Sequence, residues 1–209
     1  MIKLTKRLQA IADMVKCGCV PVDVGTDHGY IPVYLIQNKI CKTAVACDIN
    51  EGPLNSCRLL VSQCGFDDKI KCVLSNGLQS VDDEYDTVII AGMGGELIAD
   101  ILSKAENITL KNIILNPMTH PEIARKWLFD NGFEITKDIV VADGRHHYSV
   151  FFAEYVGNVG EKKQSDYYLG SITDFSDTEY FEHLLVYLKN KQKSGLDLAD
   201  LIKTIEEKL

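Results

Sequence analysis

The stretch VPVDVGTDHGY, residues 20–30, joins a short apolar run to a turn of small and acidic residues. An apolar run of this length, bounded by turn residues, is typical of a buried strand. Gly25 and Gly29 lie in the turn, and small residues there let backbone N–H groups approach a ligand closely. We therefore expect a strand, a candidate ligand-binding turn and a helix, in that order.

Strand and helix patterns alternate from this stretch toward the C-terminus. The further predicted strands cover residues 43–49, 69–75, 86–92 and 111–117, and the predicted helices cover residues 31–39, 53–65, 96–106 and 121–132. Residues 133–155 indicate a hairpin with its turn at Asp143 and Gly144. The alternation predicts parallel crossovers in a doubly wound, Rossmann-like α/β sheet, to which the closing hairpin adds one antiparallel strand.

The chain changes in character after residue 156. Residues 156–166 are polar and contain glycines, which is typical of a linker. Two apolar stripes at helical spacing follow, on either side of Gly195. We therefore predict a main domain at residues 1–156, and a linker with a C-terminal helical hairpin at residues 157–209.

Composition and charge limit the class of protein. The 209 residues contain no apolar run of 18 or more, which excludes a membrane-spanning helix, and the charged N-terminus is unlike a signal peptide. The seven cysteines lack zinc-site spacing, so we expect reduced, buried thiols, no metal and a cytoplasmic protein. A net charge of −8 disfavours a general nucleic-acid coat, although residues 1–19 carry four basic residues against one acid.

Two acids in the first turn indicate which ligand it suits. Asp23 and Asp27 would repel a pyrophosphate, but they would attract the ammonium group of a methionine-type ligand. The glycine spacing also differs from the GxGxxG of dinucleotide sites. The turn therefore favours S-adenosylmethionine over NAD, with contacts from Asp23, Gly25, Thr26 and Gly29; a tight turn without a ligand is the alternative.

The ends of the second and third predicted strands carry candidate contacts to an adenosine. Asp48, with Ile49 beside it, lies 23 positions after Gly25, where an acid can accept both ribose hydroxyls. Asn76 and Gly77 follow the third strand, where the amide can read the adenine amino group. A simple Asn-Gly turn is the other interpretation of that pair.

The fourth and fifth strand ends carry two further motifs. In AGMGGEL, residues 91–97, Gly92 and Met93 predict a backbone-lined floor under a flat or cationic group. A glycine-rich turn without a ligand is the alternative. In NPMTHPE, residues 116–122, Asn116 is a candidate to bind a base edge, or else part of a capped turn before the next helix.

Together these motifs resemble the bacterial tRNA (adenine-22)-N1-methyltransferase (TrmK-like) family. The resemblance runs over residues 7–154 and rests on RLQAIADMV, DVGTDHGY, AGMGGELI and WLFDNGFEI. It implies a class I methyltransferase sheet, S-adenosylmethionine as cofactor, tRNA as partner and a C-terminal helical appendage. The chain departs from the family at Asn76, where the family usually has Asp, and at Met118, where it has Asn. We expect a monomer, with a dimer through the helical hairpin as the alternative.

The reaction implied by the resemblance is methyl transfer to N1 of adenine 22, in the D-arm region of tRNA. The N1 lone pair is free at neutral pH, so positioning can replace a general base, but the base must be unpaired or flipped. The candidate catalytic residues are Asp27, His28, Tyr30 and Asn116. Of these, Tyr30 would stack on the base, His28 and Asn116 would orient it, and Asp27 would accept from its amino group.

A basic surface is expected to hold the tRNA. The candidate RNA-binding residues are Lys6, Arg7, Arg125, Lys126 and Arg145. Two alternative functions stay open at this point. One is a methyltransferase for another acceptor, and the other is a catalytically weak module that only binds the cofactor.

Overall fold

Seven strands form one sheet in the structure, a computed structural model that describes residues 2–82 and 84–209. In chain order they are β1 (Pro21–Val24), β2 (Ala44–Asp48), β3 (Ile70–Leu74), β4 (Thr87–Gly94), β5 (Asn112–Thr119), β6 (Phe133–Asp143) and β7 (His146–Tyr155). Their spatial order is β3-β2-β1-β4-β5-β7-β6. The pairs among β1 to β5 are parallel, and β7 is antiparallel to both of its neighbours. The predicted mostly parallel sheet with one antiparallel strand is confirmed.

Helices cover both faces of this sheet. They are α1 (Lys6–Ala12), α2 (Tyr30–Gln37), α3 (Glu51–Gln63), α4 (Gly95–Ser103), α5 (Pro121–Asp130), α6 (Gln164–Leu169), α7 (Thr178–Lys193) and α8 (Ala199–Glu206), with a short 3-10 helix at Ile108–Leu110. Alternate residues of a strand point to opposite faces. Accordingly, Ile89 of β4 packs with α1, α2 and α3, whereas Val88 and Ile90 pack with α4 and α5.

The strand order places a crevice at the carboxyl ends of β1 and β4. The chain winds outward from β1 to β3 on one side, and from β4 onward on the other. In open α/β sheets, ligands bind at such a switch point because the loops after the two strands diverge. The turn at residues 25–29 and the glycine-rich end of β4 both lie there. The two strongest motifs of the sequence therefore meet at one place.

The hairpin and the helices after it differ in detail from prediction. Asp143 is the last residue of β6 and pairs with His146, so the turn lies one residue later than predicted. Helix α6 begins at Gln164, inside the segment predicted as linker. Helices α6, α7 and α8 share a separate apolar cluster, and Val140 of β6 packs against it. The predicted C-terminal helical hairpin is present as α7 and α8.

Two sequence expectations concern thiols and membranes. In the described residues the seven cysteines are free thiols, and Cys17 is exposed while the other six are buried or half-buried. The expectation of buried thiols is therefore wrong for Cys17, which lies in a surface turn. Within residues 2–82 and 84–209, no helix is long and apolar enough to span a bilayer.

Candidate functional site

The turn between β1 and α2 is held tightly against β2 and α3. The backbone N–H groups of Gly25 and Thr26 donate to the carbonyl of Cys47, at 2.8 and 3.0 Å. Gly25 and Gly29 have φ of 71° and 75°, in the left-handed region that glycine adopts without strain. A Cβ at Gly29 would collide with the Cys57 sulfur. The glycines therefore let the turn close on itself. Gly29, a predicted cofactor residue, lines neither of the two cavities described below.

Asp23 is a buried carboxylate at the base of this turn. The Thr26 hydroxyl donates to its Oδ2 at 2.7 Å. Burial raises the pKa of Asp23 to about 6; the Thr26 hydrogen bond opposes this shift and the charge of Asp48 adds to it. A buried carboxylate with a raised pKa is stabilised when a cation arrives beside it. Asp23 is thus suited to a positively charged group of a ligand.

The first cavity, of about 300 Å³, lies over the ends of β1, β2 and β4. Its lining includes the predicted cofactor residues Gly25, Asp48, Ile49, Asn76, Gly77, Gly92 and Met93. Asp48 holds its loop by accepting the backbone N–H of Asn50 at 2.8 Å. Sequence reasoning missed Asn50, Ser75 and Leu97, which also line this cavity. Asn50 and Ser75 flank a predicted motif and Leu97 is the last residue of AGMGGEL, so a position in or next to a strand-end motif was the available signal.

The second cavity, also about 300 Å³, adjoins the first, since both are lined by Gly25, Ala91 and Gly92. We call the two cavities together the cleft. The lining of the second includes Arg7, Asp23, Thr26, Asp27, His28 and Tyr30. The Tyr30 side chain is exposed, and its ring centroid lies 5.4 Å from that of His28. The structure therefore brings three predicted catalytic residues, Asp27, His28 and Tyr30, to one wall of the cleft.

Asn116 lies beneath the cleft rather than in its wall. Its side chain is fully buried and donates from Nδ2 to the backbone carbonyl of Ser149 at 3.0 Å. Its Oδ1 accepts from Nη1 of Arg7 at 2.8 Å. Both ends of the amide are thus engaged inside the protein. The prediction that Asn116 touches the target base is corrected, because no free polar atom of its side chain faces the cleft.

The predicted basic surface is divided by the sheet. Arg125 is fully buried and bonds to Asp138 and Ser149, so the prediction that it contacts RNA is wrong. Lys126 is exposed on α5, where it pairs with Asp130 at 2.6 Å. Lys6 and Arg145 are exposed on the other side of the sheet, at the N-terminus of α1 and the tip of the hairpin. Arg7 differs again, because it lines the second cavity.

Known proteins resemble both the sequence and the fold. The model of a methyltransferase-domain family matches residues 4–151. The tRNA (adenine(22)-N(1))-methyltransferase of Bacillus subtilis is 35% identical over 73% of this chain, and the match covers 66% of that protein, just under two thirds of its length.

Solved structures extend the similarity to the C-terminal helices. The B. subtilis m1A22 tRNA methyltransferase TrmK superposes with a TM-score of 0.85 at 26% identity, over 99% of each chain. Streptococcus pneumoniae Sp1610 in complex with S-adenosyl-L-methionine gives a TM-score of 0.85 at 29% identity, over 98% of this chain and 99% of that one. The family resemblance predicted from the sequence is confirmed.

Proposed function

The chain belongs to the methyltransferase-domain family, and from that premise we propose that it transfers the methyl group of S-adenosylmethionine to N1 of adenine 22 in tRNA. One observation carries the proposal. At the β1–β4 switch point, a cavity suited to an adenosine adjoins one lined by acids and aromatic rings. The first half fits the cofactor, and the second fits a cationic sulfonium beside a flat acceptor base.

The cofactor half of the cleft offers a partner for each part of the adenosine. Asp48 would accept the ribose hydroxyls, and Asn76 would donate to or accept from the adenine edge. Gly92 and Met93 form the floor, where the Met93 side chain approaches Gly25 closely. Asp23, in the adjoining second cavity, would face the ammonium of the methionine moiety. S-adenosylmethionine supplies the electrophilic methyl group when it is bound.

Catalysis in the second half depends on positioning and charge. The N1 lone pair attacks the methyl carbon while the carbon–sulfur bond breaks, so the positive charge moves from sulfur to the adenine and no proton has to be removed. Asp23 and Asp27 stabilise positive charge at both ends of this step. Tyr30 stacks on the unpaired base and His28, next to it, orients the base edge. No metal is needed, because the nucleophile is already free.

The tRNA would approach over α1 and the hairpin tip, beside the mouth of the second cavity. Lys6 and Arg145 are exposed there, and they give phosphate contacts in a protein of net charge −8. Lys126, on the opposite side of the sheet, is a matched control. Charge reversal of Lys6 and Arg145 together should raise the KM for tRNA and flatten its salt dependence, whereas Lys126→Glu should leave both unchanged. Equal effects from both variants would contradict this approach.

The reaction itself is tested by methyl incorporation from labelled S-adenosylmethionine into tRNA transcripts, followed by nucleoside analysis. We expect 1-methyladenosine, which disappears when adenine 22 is replaced by guanine or when Asp23 is replaced by alanine. Lys104→Ala, an exposed change directly after α4, serves as the control. Methylation without RNA would favour another acceptor, and cofactor binding without turnover on any tRNA would favour a binding module. We propose a monomer that acts in the cytoplasm, with a dimer through the C-terminal helices as the alternative.

A further inference from the structure

Two pairs of cysteines place their sulfur atoms in contact inside the protein. The Sγ atoms of Cys57, on α3, and Cys72, on β3, are 3.7 Å apart, and those of Cys19 and Cys41 are also 3.7 Å apart. All four residues are free thiols. A disulfide holds its sulfurs about 2.0 Å apart, so each pair has to close a gap of about 1.7 Å to form one. The two pairs are therefore matched in distance, and their surroundings decide which of them can react.

The two pairs differ in their access to solvent. Cys19 and Cys41 are both buried. Cys72 is half-buried and lies on β3, which is an edge strand of the sheet, whereas its partner Cys57 is fully buried. A small oxidant dissolved in water can therefore reach the Cys72 sulfur, and the Cys57 sulfur can reach the oxidised product from inside the protein.

The Cys72 thiol is also the member of its pair that ionises more readily. A hydrogen bond with the Cys57 thiol lowers the pKa of Cys72, and the positive charge of Arg58 adds to this shift, while burial opposes it. The same hydrogen bond, together with burial, raises the pKa of Cys57. Because the thiolate is the form that attacks an oxidant, Cys72 is the reacting sulfur and Cys57 is the resolving one.

Cys57 connects this pair to the turn between β1 and α2. Its sulfur fills the space directly beside Gly29, where a Cβ would collide with it. The N–H of Gly29 donates to the carbonyl of Thr26 at 2.9 Å, and the Thr26 hydroxyl donates to Asp23. A disulfide with Cys72 draws the Cys57 sulfur away from Gly29. The turn then loses dispersion contacts on its buried side, because a void replaces a packed atom.

We propose that Cys72 and Cys57 form an oxidative modification site, which a hydroperoxide converts to a disulfide that weakens the packing of the turn at residues 25–29. Disulfides of this kind in a reducing compartment are transient and sense oxidants. The consequence for the cofactor, a lower affinity while the disulfide is present, rests on the proposed function.

The chemistry takes two steps, written here for hydrogen peroxide. The Cys72 thiolate attacks one peroxide oxygen, the O–O bond breaks, and a sulfenic acid and hydroxide are formed. The Cys57 sulfur then attacks Cys72 Sγ and gives up its proton, and the sulfenic hydroxyl leaves as water. In total two thiols are oxidised to one disulfide and one peroxide is reduced to two waters. A thiol reductant reverses the modification by disulfide exchange.

Mass spectrometry after treatment with hydrogen peroxide tests the site itself. The full chain carries Cys17→Ser, because the exposed Cys17 would react by itself. We expect a Cys57–Cys72 linkage that dithiothreitol removes, while Cys19 and Cys41, the matched buried pair, stay reduced. Adding Cys57→Ser should stop the reaction at the sulfenic acid of Cys72, which dimedone labels. Absence of the Cys57–Cys72 linkage, or a Cys19–Cys41 linkage that forms first, overturns the proposal.

Two readouts in the same Cys17→Ser chain follow the turn. On oxidation, hydrogen–deuterium exchange of the amides of residues 25–29 should become faster, and the Kd for S-adenosylhomocysteine should rise about fivefold, as expected for a void the size of a methyl group. Adding Cys72→Ser should abolish both responses and leave the Kd before oxidation unchanged. Adding Cys64→Ser, at the other half-buried cysteine, should keep both responses.

The outcomes separate this inference from the proposed function. A Cys57–Cys72 disulfide without faster exchange at residues 25–29 overturns the link to the turn. Equal responses with and without Cys72→Ser show that peroxide acts elsewhere, and they overturn the proposal as well. If the reduced protein did not bind S-adenosylhomocysteine, the proposed cofactor would fail, while the linkage and the exchange rates would still decide this inference.

Discussion

Replacing Arg125 with methionine should lower the free energy of unfolding by about 3 to 5 kcal/mol, the usual cost of breaking a buried ion pair. Arg125 is fully buried on α5, and its Nε donates to Asp138 Oδ2 at 2.9 Å. The same guanidinium donates to Ser149 at 2.6 Å and to the carbonyl of Tyr168 at 2.9 Å. These bonds tie α5, β6, β7 and α6 together. Removing the guanidinium leaves the Asp138 carboxylate buried, with the Ser149 hydroxyl as its remaining side-chain partner.

Urea unfolding followed by circular dichroism measures this effect. With an m value of about 2 to 3 kcal/mol/M, the midpoint of Arg125→Met should fall by about 1 to 2.5 M. Lys126→Met, one residue along α5, breaks only an exposed pair with Asp130 and should cost less than about 0.5 kcal/mol. The double variant Arg125→Met/Asp138→Leu should recover much of the loss, since no charge is left unpaired.

The pH dependence of Arg125→Met provides a second readout. Burial raises the pKa of Asp138, and Arg125 opposes that shift. Without Arg125 the pKa rises further, so the variant is stabilised at low pH and loses stability as pH rises through the folded-state pKa. The deficit relative to the unaltered protein should therefore be larger at pH 8 than at pH 5. A midpoint for Arg125→Met equal to that of Lys126→Met would refute the reasoning.

Three further predictions follow from the described contacts. Asp23 has a pKa of about 6 and must be ionised to hold an ammonium, so the Kd for S-adenosylhomocysteine should rise about tenfold as the pH falls from 7 to 5. The Asp23→Asn variant should show no such pH dependence, and a Kd of the unaltered protein that does not change with pH would contradict the prediction. Gly95→Ala should lower the free energy of unfolding, measured in urea, by about 1 to 3 kcal/mol, because a Cβ there collides with the backbone carbonyl of His120, the residue before α5. Gly52→Ala in α3 is the control, since its Cβ meets open space and the change should not destabilise the protein. Asp177 and Glu179 raise the pKa of His147. The protonated imidazole therefore stabilises the fold at pH 6, and this stabilisation is lost as the pH rises through the folded-state pKa of His147. Thermal unfolding of His147→Gln should therefore depend less on pH above 6 than that of the unaltered protein.

Much of the fold could be predicted because its signals are local. Buried strands, amphipathic helices and the closing hairpin follow from residue periods and turn residues within short windows. The candidate cofactor residues followed from topology, since carboxyl ends of adjacent parallel strands share one edge of the sheet. Asp48 and Asn76, separated by a whole strand and helix, were assigned to one cavity for this reason, and both line it.

For Arg125, residue type alone led to a wrong prediction of RNA contact. It was assigned to the RNA surface because it is basic, but it shares the buried face of α5 with Leu128 and Phe129, three and four positions later. The helical period was therefore the better signal. The partner that allows this arginine to be buried, Asp138, comes 13 positions later in a different element.

The sequence by itself determined the alternation of strands and helices in the main domain, the mostly parallel sheet, the small-residue turn after β1 and the family resemblance. These depend on periods, turn residues and motifs that short segments carry intact. Only the tertiary structure decided which charged groups meet. Arg7 and Asn116 are 109 positions apart, and their contact requires α1 to pack against the hairpin while β5 runs beneath the cleft. Charge and hydrogen-bonding capacity can be read from a residue's type, but the partner depends on how distant elements pack.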